Sequence, residues 1–112
     1  MGMSNLKQVF DRIIYRSYNN LNMQIGFDQT KRDKTFRERG LDFSGAAQVF
    51  AGNHLSLEDT REDYAEQRFQ TAGWLGGTIV ILIWTPRGKA RRIISMRKAN
   101  EREITKIRPV LG

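Results

Sequence analysis

The longest apolar run in the chain, Thr78-Ile-Val-Ile-Leu-Ile-Trp84, most limits what it can fold into. It is far short of the roughly 20 residues that span a bilayer, and its β-branched residues make it a strand. Turn residues bracket it, Leu75-Gly76-Gly77 before and Thr85-Pro86-Arg87-Gly88 after. Strand patterns at Gln67–Trp74 and Ala90–Lys98 flank it, so the three predict an antiparallel meander. Upstream, Met23–Phe27 alternates as a short strand does. Asp28 then caps a helix through Lys31, Phe36 and Arg39 that stops at Gly40, where a left-handed residue is wanted. A shorter helix is expected from about Ser44 to Phe50, ending at Gly52, and a further strand near Leu55–Glu58. Asn100-Glu-Arg-Glu103 has the capping-box pattern, opening a last helix with Ile104, Ile107 and Leu111 on its apolar side and Pro109 cutting it short. This order predicts an α+β fold.

Residues 1–22 read differently. Leu6, Val9, Phe10, Ile13, Ile14 and Tyr18 recur at helical spacing, followed by the turn-prone Asn19-Asn20-Leu21-Asn22. We expect 1–22 to be an N-terminal appendage, a helix or a non-native extension, and 23–112 to be the compact domain, with Met23 as a candidate native start.

Strand alternation assigns faces. A four-residue turn at 85–88 pairs Trp84 with Lys89. Ile79, Ile81 and Ile83 then share a face with Arg92, Ile94 and Met96, expected to pack under the helices. Val80, Leu82 and Trp84 share the other with Arg91, Ile93, Ser95 and Arg97, expected to stay open. For the preceding strand, a Gly76-Gly77 turn places Arg68 under the helices, whereas a Leu75–Gly77 loop places Phe69 there. Burying Phe69 is cheaper, so the longer loop is expected and Arg68 joins Arg91, Ser95 and Arg97 on the open face. Guanidinium groups converging without a nearby acid call for an anionic ligand or a partner's carboxylates.

The charge distribution agrees. The net charge is +7, and residues 85–112 hold nine bases against two acids, so this last quarter carries all of it. Such asymmetry suits a polyphosphate partner, although a solvated surface helix and strand edge also look like this. With no cysteine, disulfides and thiolate chemistry are excluded, and one histidine, His54, excludes two-histidine schemes. No leader pattern points to export, so a cytoplasmic protein is expected, without metal, cofactor or membrane partner.

Phe27-Asp28-x-x-Lys31, Arg39-Gly40-Leu41-Asp42-Phe43 with Ala46-Ala47 and Phe50, Glu66-x-Arg68-Phe69, Gly73, and above all Arg92-Ile-Ile-Ser-Met-Arg-Lys-Ala99 occur in this order. The set resembles the BrnT toxins, ribonuclease members of bacterial BrnT/BrnA toxin–antitoxin pairs. The resemblance covers about residues 23–108 and implies a RelE-like fold and endoribonuclease activity. It further implies neutralisation by a DNA-binding BrnA-like antitoxin in a 2:2 assembly that contacts operator DNA only through the antitoxin. Two departures stand out: relatives usually carry histidine where this chain has Arg39, and many carry asparagine at Thr35.

A ribonuclease working without metal must deprotonate the attacking 2′-OH, stabilise a phosphorane and reprotonate the leaving 5′-oxygen. Arg68, Arg91 and Arg97 are the expected charge donors, because their planar forks match phosphate oxygens. Ser95 can bond the phosphate or orient an arginine. Glu66 is a candidate base, or else a salt bridge fixing Arg68. Lys31, Arg39, Trp84 and Lys98 are RNA-contact candidates. Each has a plainer reading: Lys31 and Arg39 as solvated helix surface, Trp84 as packing, Lys98, like Arg92, as an edge or partner contact. His54, in a loop-like Gly-Asn-His segment, reads as a surface residue. A non-catalytic basic module that docks RNA, DNA or an acidic protein stays open beside the enzyme.

Overall fold

The computed structural model describes residues 24–112, so the expectations for residues 1–22 lie outside the described part. Strand β1 (Gln24–Phe27) leads to helix α1 (Gln29–Arg39), a 3₁₀ turn (Phe43–Gly45) and helix α2 (Ala46–Ala51). Strands β2 (His54–Glu58), β3 (Phe69–Leu75), β4 (Thr78–Arg87) and β5 (Ala90–Lys98) follow, then helix α3 (Glu101–Leu111). The five-stranded sheet has the order β1-β5-β4-β3-β2. β1 runs parallel to β5, and the other pairs form the expected antiparallel meander. The architecture is α+β.

Local sequence explains the helix ends. The Asp28 carboxylate accepts from the Lys31 N–H, and Gly40 closes α1 at φ +70°. Asn100 and Glu103 form the complete capping box of α3. Contrary to expectation, α3 continues through Pro109 to Leu111. A proline this close to the C-terminus removes only one late hydrogen bond, while Leu111, beyond the point where the helix was expected to stop, is buried.

Both sheet faces are covered, which the single-face reading did not anticipate. On one, Leu41, Phe43, Ala46, Val49 and Phe50 pack onto Phe69, Val80, Leu82, Trp84, Ile93 and Met96. On the other, Ile107 and Leu111 of α3 pack onto Leu55, Leu57, Ala72, Ile79 and Ile81. Gly73 permits the α2 contact, since a Cβ there would lie 2.7 Å from Val49 Cγ1.

The register overturns both turn assignments. Leu75 pairs with Thr78 across a two-residue Gly76-Gly77 turn, and Arg87 pairs with Ala90 across Gly88-Lys89. Glycine leads each turn with positive φ (+62° and +57°), as a type II′ hairpin requires. β4 therefore extends through Pro86. Its β3 neighbour ends opposite Trp84, so on that side Pro86 costs no ladder bond. The hairpin then carries a bulge: Ile83 faces Ser95, but Trp84 faces Ile93, leaving Ile94 as the extra residue. This bulge reverses the alternation of β5 halfway along.

Candidate functional site

The reversal separates the arginines expected to converge. Arg91 lies on the α2 face, only 3% exposed, with its guanidinium carbon 3.6 Å from the Phe50 ring centroid and 5.3 Å from that of Trp84. Burial pushes its pKa down to about 10, which still leaves it protonated at neutral pH. Trp84 is buried beside it, stacked on Phe69 and donating from Nε1 to Thr71 Oγ1 at 2.8 Å. Neither side chain offers a surface for RNA in this arrangement. The expectation that Arg91 and Trp84 line an open face is corrected.

Ser95 and Arg97 emerge on the opposite face, in line with Ile83 and Ile81. Alternation from the buried Phe69 puts Arg68 on that same side. Thr85 and its partner Arg92 also follow on this face. The α3 contact layer reaches Ile81, whereas Ile83, Arg92, Ser95 and Arg97 beyond or beside it stay half-buried. This partly uncovered half of the α3 face is the candidate site. It keeps Arg68, Ser95 and Arg97, gains Arg92, and loses Arg91.

Carboxylates are present, contrary to the expectation of acid-free arginines. Arg97 grips Glu103 fork to fork, Nη1–Oε1 2.8 Å and Nη2–Oε2 2.9 Å. Through that pair the Arg97 pKa rises and that of Glu103 falls. Glu66 lies between two cations, 3.6 Å from Arg68 Nε and 3.2 Å from Arg87 Nη2. Arg68 is also stacked over the Tyr64 ring at 4.2 Å. Arg61, held by Asp59 at 2.8 Å, is close enough for its charge to oppose the rise in the Arg97 pKa. Arg92 forms no ion pair among the described residues.

The remaining candidates fall elsewhere. Arg39 Nη1 donates to the Met96 carbonyl at 2.7 Å, a long-range tie between α1 and β5. Lys31 is exposed on α1, and Lys98 is exposed at the end of β5 opposite Val80. His54 is half-buried on β2 rather than in a loop. Its Nδ1 donates to the Gly52 carbonyl, and its ring meets Phe50 edge-on at 5.4 Å. Burial above all, aided by the Arg91 charge, holds its pKa below the usual imidazole value.

Sequence reading missed Arg87, Tyr64 and the second role of Glu103. Glu103 was visible only as a cap. Its place at the third position of α3, just past a strand ending in Arg97-Lys98, was the available signal for a pair across the strand–helix junction. No group of histidine, aspartate and glutamate among the described residues is arranged to hold a metal ion. None of their helices is long and apolar enough to cross a membrane.

A comparison with curated proteins finds no match. A comparison with protein families matches residues 27–103 to the ribonuclease toxin BrnT of type II toxin–antitoxin systems. The matched stretch runs from the end of β1 to the Arg97–Glu103 clamp, so it holds strands β2 to β5 and every arginine of the candidate site. The chain belongs to the BrnT family of ribonuclease toxins, whose type II systems pair each toxin with an antitoxin.

Proposed function

We propose that this toxin is a metal-independent endoribonuclease that binds RNA on the uncovered half of its α3 face. The observation that supports this best is the shared position of Arg68, Arg92, Ser95 and Arg97 where neither helix layer closes over the sheet. In this reading the arginines hold the phosphate and stabilise the phosphorane, and Ser95 hydrogen-bonds a phosphate oxygen. Glu66 takes the 2′-OH proton or orients Arg68, to which it is already paired. Exposed Lys31 and Lys98 contribute to the field that draws RNA in, and Arg39 supports it at the β5 edge. A BrnA-like, DNA-binding antitoxin neutralises the toxin in a 2:2 complex and alone contacts operator DNA. The cytoplasm is the compartment where such a toxin meets its substrate.

The test is cleavage of purified RNA in EDTA. Wild type is expected to cut, and Arg97→Ala and Arg68→Ala to lose about 10²–10³ in rate each. Intact RNA with wild type at high protein concentration overturns the enzyme reading. One observation favours a second reading, a non-catalytic basic module. Arg68 and Arg97 already hold carboxylates, as they would a protein partner's. Tight RNA or protein binding without cleavage selects it.

A further inference from the structure

Helix α1 spends its residues in an unusual way. It buries none of them. An isolated helix of this length is marginal in water, and most helices are held by an apolar face. Polar ties hold this one instead: the Asp28 cap, the Arg32–Asp42 pair at 2.7 Å, and Arg39 on the Met96 carbonyl at 2.7 Å.

Those ties define its inner side. With 3.6 residues per turn, Arg32, Thr35 and Arg39 point together toward the protein. Lys34 and Arg37 point away, with Lys31 on one flank and Phe36 on the other. Lys31, Lys34 and Arg37 form no ion pair among the described residues. Of the two acids on the helix, Asp33 is tied to Arg32 at 3.0 Å and to Gln29 at 2.9 Å. Exposed Glu38 lies on the flank between Lys31 and Lys34, so the net charge of the face rests on Lys34 and Arg37. Phe36 is the exposed large hydrophobic side chain among the described residues, 50% exposed, with the Arg32 guanidinium carbon 5.4 Å from its ring centroid. A lone exposed phenylalanine needs no explanation by itself. On a cationic helix that buries nothing, it is the point where a partner can gain apolar contact.

We propose that the outer face of α1 is a docking surface for the antitoxin. It takes an acidic segment whose carboxylates meet Lys34 and Arg37 and whose apolar side chain covers Phe36. The inference rests on family membership, which supplies an antitoxin, and not on where RNA is cut. Charge complementarity selects an acidic segment. The chain's own residues 1–22 carry Lys7, Arg12 and Arg16 against Asp11 and do not fit. A protein is favoured over RNA because α1 presents a convex helix surface and contributes none of the side chains of the Arg68, Arg92, Ser95 and Arg97 set. Buried aromatic anchors ringed by charge are also the usual core of a protein interface. Two contacts would then divide the work, with docking on α1 separate from occlusion of the sheet.

The experiment measures the dissociation constant of the full-length toxin with the antitoxin encoded beside it. Free toxin is assayed for RNA cleavage in parallel. Phe36→Ala and the double variant Lys34→Glu/Arg37→Glu are each expected to weaken the complex about tenfold or more, and Phe36→Leu to retain affinity. Cleavage by the free variants should match wild type, and circular dichroism should show the same helix content. Unchanged affinity, or no complex with wild type, overturns the proposal. Lost cleavage with intact antitoxin binding overturns it too, and reassigns α1 to RNA. If wild type binds antitoxin but cuts no RNA, the proposed activity fails while the affinities still decide this inference.

Discussion

Arg97 and Glu103 close a two-pronged clamp between the end of β5 and the first turn of α3, with both bonds at or under 2.9 Å. Glu103 Oε1 also accepts the Asn100 N–H at 2.9 Å, so one carboxylate completes the helix cap and holds the guanidinium. Its burial, at 8% exposure, makes the pair more than a surface ion pair.

Glu103→Ala should therefore cost about 1–3 kcal/mol in chemical denaturation, from the lost cap and the lost charged bond together. The range stays below that of a fully buried pair, because the Arg97 side chain remains 41% exposed. The sign with pH follows from the lowered Glu103 pKa. The stabilisation is fully present above the ordinary carboxylate value and is lost as pH falls through the lowered one. Wild type should lose stability across that acidic window, and Glu103→Gln should show a flatter profile. Equal slopes for the two would mean the pair contributes nothing.

Arg97→Ala separates charge from packing. It leaves Glu103 without its fork, so a loss of about 1–3 kcal/mol is expected rather than a fully neutral change. Ile81→Asp, at a position 1% exposed beneath α3, should instead prevent folding, because its charge would be buried without a partner. Thermal melts of the two variants check this. Similar collapse in both would refute the assignment of Arg97 to an open surface.

Arg91 provides the control. Arg91→Ala should destabilise by about 2 kcal/mol through lost packing on Phe50 and Trp84. It should leave the salt dependence of RNA binding unchanged. Arg92→Ala and Arg97→Ala should each reduce the logarithmic salt slope by about 1. A reduced slope for Arg91→Ala would place a phosphate on the α2 face.

Gly73→Ala tests the contact between β3 and α2. The added Cβ would sit 2.7 Å from Val49 Cγ1 and 3.2 Å from His54 Cβ, so a cost of about 1–3 kcal/mol is expected. Removing the clash with Val49→Ala in the same chain should cost less than the two single changes combined, as a double-mutant cycle would show.

Elements were legible where local physics decides them. Asp28 and Gly40 bound α1, Asn100 and Glu103 open α3, and the Thr78–Trp84 run with its flanking strands is the observed meander. The ordered motifs likewise pointed to the family. The site was only partly legible. Arg68, Ser95 and Arg97 do share a side of the sheet, but the loop expected to put them there is absent, and Arg91 is not among them.

The reason lies in how alternation accumulates. Capping and β-propensity act over a few residues, so sequence alone determined which segments are helix or strand and that the C-terminal quarter is cationic. Side-chain direction depends on register, and one extra residue inverts everything after it. The Ile94 bulge and the two-residue glycine turns were decided only by packing both sheet faces at once, the 3₁₀ turn and α2 on one and α3 on the other. That packing buried Arg91 and Trp84, left Arg97 near solvent, and brought Glu103 back to meet it.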